Sequence, residues 1–100
     1  MMKTYFAAVV TVSALLAGCG GSPGALEGTW KASGPIHMII TFRPGETETL
    51  GVIEHVDYRV DGDTVQLTYK DGLMKGSSLR FVLVDHDTAT NPMYTLRRVR

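Results

Sequence analysis

The feature that most constrains the fold is an alternation running through "HVDYRVDGDTVQLTYKDG" (His55 to Gly72). Val56, Tyr58 and Val60 fall on one side of an extended chain, Asp57 and Arg59 on the other. After the Asp-Gly turn signal, Val65, Leu67 and Tyr69 share one face, with Gln66 and Thr68 opposite. Successive side chains of a strand point to opposite faces, so two period-2 arms joined by a tight turn predict an antiparallel hairpin with one buried face. No 3.6-residue helical period competes with it.

The same pattern recurs along the chain. "IHMIITFR" sets Ile36, Met38, Ile40 and Phe42 against Ile39, and "SSLRFVLVD" sets Leu79, Phe81 and Leu83 against Val82 and Val84. Turn signals punctuate these runs: Arg43 to Glu46 around Pro44-Gly45, Asp61 to Asp63, Lys70 to Gly72, and a polar loop from Asp85 to Pro92. Six strands are predicted: Glu27–Ala32, Ile36–Arg43, Gly51–Val60, Thr64–Lys70, Ser78–Asp85 and Met93–Val99. The fold class is therefore all-β, a small antiparallel meander curled into a barrel or half-barrel, with no helix longer than a turn. Curling hides edge strands that otherwise invite aggregation. Ile39, Val82 and Val84, on the faces opposite the expected core, are candidates for a partner-contact patch.

The amino terminus follows a different grammar. Lys3 supplies a short positive segment, Tyr5 to Leu16 is apolar, and Ala17 and Gly18 are small residues before Cys19, the one cysteine of the 100-residue chain. The apolar run is about a dozen residues, short of the ~20 that cross a bilayer. Charge, an apolar run and small residues in that order make a secretory signal peptide. Leu16-Ala17-Gly18-Cys19 resembles the lipobox of bacterial lipoproteins, in which Leu, a small residue and Gly or Ala precede the modified Cys. The resemblance implies cleavage between Gly18 and Cys19. It also implies a diacylglyceryl thioether on the Cys19 sulfur, with an added N-acyl chain, and these acyl groups are the only prosthetic chemistry expected. In that family an Asp directly after the lipidated Cys retains the protein in the inner membrane of enteric bacteria. Gly20 stands there, so the resemblance implies the outer membrane, with the domain facing the periplasm. The chain thus divides into a signal peptide (1–18), a lipidated Cys and tether (19–25) and a β domain (26–100). Gly20 to Ala25 reads as a flexible leash with a reach of about 20 Å.

Leu26 to Ser33, "LEGTWKAS", contains Gly28-Thr29-Trp30, which resembles the Gly-x-Trp opening of lipocalin-like barrels. There the Trp plugs one barrel end beside a basic residue of the last strand. The resemblance implies that role for Trp30, with Arg97 or Arg98 as the cationic partner. The mature part is about half the length of a full lipocalin.

Ten Lys and Arg balance ten Asp and Glu, so no excess positive charge argues for nucleic acid. His37, His55 and His86 are the titratable candidates for catalysis, and Asp85-His86-Asp87 is the one dense cluster. Its flanks supply loop hydroxyls and an amide rather than a nucleophile or further ligands, and an Asp-rich loop reads first as a solvated turn. No catalytic residue and no metal site is assigned. The basic end, Arg97 to Arg100, reads as a solvated strand end. Its second reading is contact with anionic headgroups or a periplasmic partner, at about 1 kcal/mol per charge near a membrane. The functional expectation is a non-enzymatic binding or structural module of the envelope, an inhibitor, immunity or assembly accessory protein being its concrete forms. The alternative is a lipocalin-like carrier of a small hydrophobic ligand, which requires a cavity of ~300 Å³ or more.

Overall fold

The computed structural model describes residues 19–100, with Cys19 and Gly20 described by their backbone alone. Leu16, Ala17 and Gly18 lie outside the described residues. The architecture is all-β. Strands β2 (Gly28–Ser33), β3 (Met38–Arg43), β4 (Glu46–Thr49), β5 (Val52–Asp61), β6 (Thr64–Tyr69), β7 (Ser78–Asp85), β8 (Thr88–Thr90) and β9 (Thr95–Arg98) follow a two-residue β1 (Cys19–Gly20) and a 3-10 turn at Gly24–Leu26.

Each of β2 to β9 pairs antiparallel with its neighbours in sequence, and β9 returns to pair with β2. The result is a closed eight-strand up-and-down barrel. The hairpin read in the sequence is β5–β6, with Tyr58 opposite Leu67 and Asp61 opposite Thr64. β5 is long enough to pair with β4 through Val52 to His55 and with β6 through Val56 to Asp61. On its β4 side, β1 continues the ladder, with Cys19 opposite Arg59 and Gly20 opposite Tyr58.

Six strands were expected and eight close the barrel. The two extra strands are β4 and β8, and the reason is chemical. β4, "ETET", sends Thr47 into the core, and β8, "TAT", sends Ala89. A buried Thr between two Glu residues and a lone Ala between two Thr residues carry no apolar alternation. The segment read as a polar loop from Asp85 to Pro92 therefore contains a strand. Both strands are held by ladder hydrogen bonds on two sides, which no hydropathy pattern records.

The inward side chains meet in the middle. β3 and β7 are four strands apart in the ring, so they face each other across the barrel, and Phe42 and Phe81 touch edge-on with ring centroids 6.0 Å apart. Trp30, Tyr58, Leu67 and Leu96 are likewise buried. Burying a large apolar side chain contributes roughly 1.5–3 kcal/mol, so this small barrel is stabilised by its own filling.

The segment read as a leash is packed. The Gly21 carbonyl accepts from the Gly45 N–H at 2.7 Å, Pro23 is buried, and its carbonyl accepts from the Leu26 N–H. Residues 21–26 thus lie against one barrel end, where Gly and Pro serve a tight approach and a 3-10 turn rather than slack.

Candidate functional site

The up-and-down course gives the barrel two unlike ends. At one, here the base, lie the 3-10 turn and the two-residue turns Pro44-Gly45, Gly62-Asp63 and His86-Asp87. At the other, the rim, lie loop 34–37, the turn Leu50-Gly51, loop 70–77 and loop 91–94.

The base is organised by Trp30 and Arg98, which β2 and β9 hold directly opposite each other. Trp30 is fully buried, and its indole N–H donates to the Leu26 carbonyl at 2.8 Å. The Arg98 guanidinium lies over the indole, 4.2 Å from the ring centroid. It also donates to three carbonyls: Ala25 and Glu27 at 2.9 Å and His86 at 3.0 Å. A planar cation with five N–H donors suits this position, since it can stack and fork at once. Gly28 has a physical reason here. Its φ of 125° disfavours side chains, and a Cβ would stand 2.8 Å from an Arg98 Nη. Arg97, one residue earlier, alternates to the outer face and is exposed.

The histidines and the acidic loop are distributed rather than gathered. His86 contributes its carbonyl to Arg98. The Asp85 carboxylate accepts from the Asp87 N–H at 2.9 Å, which holds it below the usual carboxylate range, and Asp87 pairs with Arg100. His55 reaches Asp71 with Nδ1 at 2.6 Å, while its backbone N–H donates to the same carboxylate at 3.0 Å. Those two contacts, the backbone one first, hold the Asp71 carboxyl low and tie loop 70–77 to β5. His37 is exposed in loop 34–37. Among the described residues, no three His, Cys, Asp or Glu side chains converge on a point that would hold a metal ion. Two phenols line the interior. Tyr58 donates to the Glu46 carbonyl at 2.7 Å, and burial pushes both Tyr58 and Tyr69 above the ordinary phenol value.

The rim is the apolar end. Each of its loops exposes a large hydrophobic side chain: Ile36, Leu50, Leu73 with Met74, and Met93. Leu73 is fully exposed and Leu50 is 76% exposed. The two-residue base turns present Pro, Gly, Asp and His instead. Leu50 is also strained, being the non-glycine residue with positive φ (54°) among the described residues. With Gly51 at 80° it forms a hairpin turn of the type that Asn-Gly fills without strain. From this turn a shallow cleft of about 510 Å³ runs along the outside of β3 and β4, bordered by His37, Ile39, Thr41, Arg43 and Glu48.

Of the three patch candidates, Ile39 thus adjoins Leu50 at the rim. Val82 and Val84 stand on β7, across the barrel from β3. Val82 is flanked by Thr64 and Thr90, and Val84 borders a separate cleft of about 350 Å³ at the base with Ala25 and His86. All three are exposed, but they do not form one surface. The rim cluster escaped the sequence because its members come from four loops far apart in the chain, where isolated apolar residues in turns carry no periodic signal.

No family model, no curated protein and no solved structure matches this chain.

Proposed function

We propose that this chain is a lipid-anchored bacterial envelope lipoprotein, its barrel a non-enzymatic module that binds a periplasm-facing protein through the rim. The lipid anchor rests on Leu16-Ala17-Gly18-Cys19 and the apolar run before it. Replacing Cys19 by Ala abolishes acyl labelling and processing in this reading. Unchanged processing and membrane retention overturn the anchor.

The observation that carries the binding reading is Leu50. A β-turn position at φ 54° costs a branched apolar residue about 1 kcal/mol, and water contact adds nothing in return. Locally, Asn or Gly is better. A strained, exposed Leu among the exposed apolar tips of the rim is explained when another surface covers it. Lys75 on the neighbouring loop, without an ion-pair partner among the described residues, adds positive charge to that rim. The occupant that fits is a protein with an apolar concavity. The Phe42–Phe81 contact across the barrel weighs against the carrier reading, since it occupies the space a ligand would need.

A photo-crosslinker at Leu73 tests this, with one at Asp63 on the base as control. The expected result is one envelope protein captured from the rim and absent from the base control. The purified partner then binds at least tenfold more weakly to the Leu50→Asn, Leu73→Asp double variant than to wild type. Equal affinity of the two chains, or capture of lipid alone, overturns the rim as a protein-binding surface.

A further inference from the structure

We infer that the barrel wall beside Cys19 is a contact for anionic lipid headgroups, which orients the barrel on the membrane. The inference rests on the lipid-anchor reading. The register carries it. Cys19 on β1 pairs with Arg59 on β5, Arg59 with Gln66 on β6, and Gln66 with Arg80 on β7. One transverse row therefore holds the cysteine, an arginine, an amide and a second arginine. Strands lie 4.7–4.9 Å apart, so the arginine Cα atoms are about 10 Å apart, a span two long side chains close around one phosphodiester.

Arg59, Gln66 and Arg80 line one open cleft of about 330 Å³ with Thr64 and Asp61. Asp61 is the one carboxylate of that lining, leaving it net positive. Other arginines are committed to the fold: Arg43 to Glu46 and Glu48, Arg98 to the base carbonyls, Arg100 to Asp87. Arg59 and Arg80 make no ion pair or side-chain hydrogen bond among the described residues, and both are exposed. Their donors are available to phosphate oxygens.

The packed segment after Cys19 decides which source of phosphate applies. Gly21 and Pro23 are held against the barrel, so an acylated Cys19 brings the bilayer to β5 itself. Lys31 and Arg97 form a second cross-strand basic pair, but on β2 and β9, on the opposite side of the ring from β6. The Arg59–Arg80 pair differs from it in flanking one amide, Gln66, in a shared cleft, as well as in lying beside the anchor. The anchor also leaves the rim, at the other end of β5, to reach outward.

The test separates the wall from the anchor. Wild-type acylated protein is placed in nanodiscs with a spin label on the lipid headgroup. Amide broadening at Gln66 and Thr64 is expected, and none at Lys31. In parallel, the chain from residue 19 with Cys19→Ser is sedimented with phosphatidylglycerol and with phosphatidylcholine vesicles. Preference for phosphatidylglycerol is expected, falling about thirtyfold in R59Q/R80Q, about fivefold for each charge. K31Q/R97Q, the same charge change on the far wall, stays within about twofold of wild type. Equal losses in the two pairs, no loss in R59Q/R80Q, or displacement by millimolar inorganic phosphate each overturn the headgroup site. None of these outcomes touches acyl labelling of Cys19, whose loss would instead remove the anchor reading.

Discussion

The base and the rim are built from the same eight strands, yet they differ in what they leave exposed. At the base, polar groups satisfy each other: one guanidinium stacks on an indole and collects three carbonyls. At the rim, hydrophobic tips face water and one turn is strained. The difference teaches where this fold is spent on stability and where it leaves apolar surface uncovered. The base is the end the chain enters and leaves, so capping it joins sequence-distant segments. The rim consists of reversals that strand pairing already secures, which frees its side chains.

The harshest way to break this contrast is at the base. Trp30→Ala empties the barrel end and orphans the Leu26 carbonyl. A loss of about 3–5 kcal/mol is expected in urea unfolding, enough to unfold a domain this small. A loss below about 1 kcal/mol would mean the base is not the keystone. Arg98→Ala removes the cation–π contact and three charge-assisted bonds, for about 2–4 kcal/mol. Arg98→Lys recovers under half of this, because one ammonium cannot stack and reach all three carbonyls. Arg97→Ala, on the outer face, changes stability by no more than about 0.5 kcal/mol.

At the rim the sign reverses. Leu50→Asn relieves the positive-φ strain and raises stability by about 1 kcal/mol, while weakening the proposed partner. A destabilised Leu50→Asn chain would show that Leu50 is structural. The smallest effect concerns loop 70–77. The folded-state Asp71 carboxyl titrates below its ordinary value near 3.9, so its hold on His55 is complete above about pH 5 and is lost as pH falls through the folded-state value. Protection of the Gly72 to Gly76 amides, taken relative to their intrinsic exchange rates, falls below pH 4, and Asp71→Asn reproduces this at neutral pH without changing protection at Trp30. Coincident changes in both regions would erase the distinction between a held base and an adjustable rim.

Much of the wall was legible in the sequence. Val56, Tyr58 and Val60 against Asp57 and Arg59 announce a half-buried strand, and the Asp61 to Asp63 turn places its partner. β4 and β8 were not legible, because Thr47 and Ala89 are buried by neighbours rather than by their own hydropathy. Gly28, Trp30 and Arg98 were each visible as candidates, but the choice between Arg97 and Arg98 needs the barrel's register. The rim was invisible, since loop tips 36, 50, 73 and 93 become neighbours only when the ring closes.

By itself the sequence determined an all-β chain, its main hairpins and the apolar run before Cys19, because alternation and turn chemistry are local properties. Tertiary structure alone decided that eight strands close and that Ile39 and Val82 lie on opposite walls. It also set Cys19 in one row with Arg59 and Arg80. Those facts depend on which strand lies beside which, and long-range pairing is set by the whole ring closing at once.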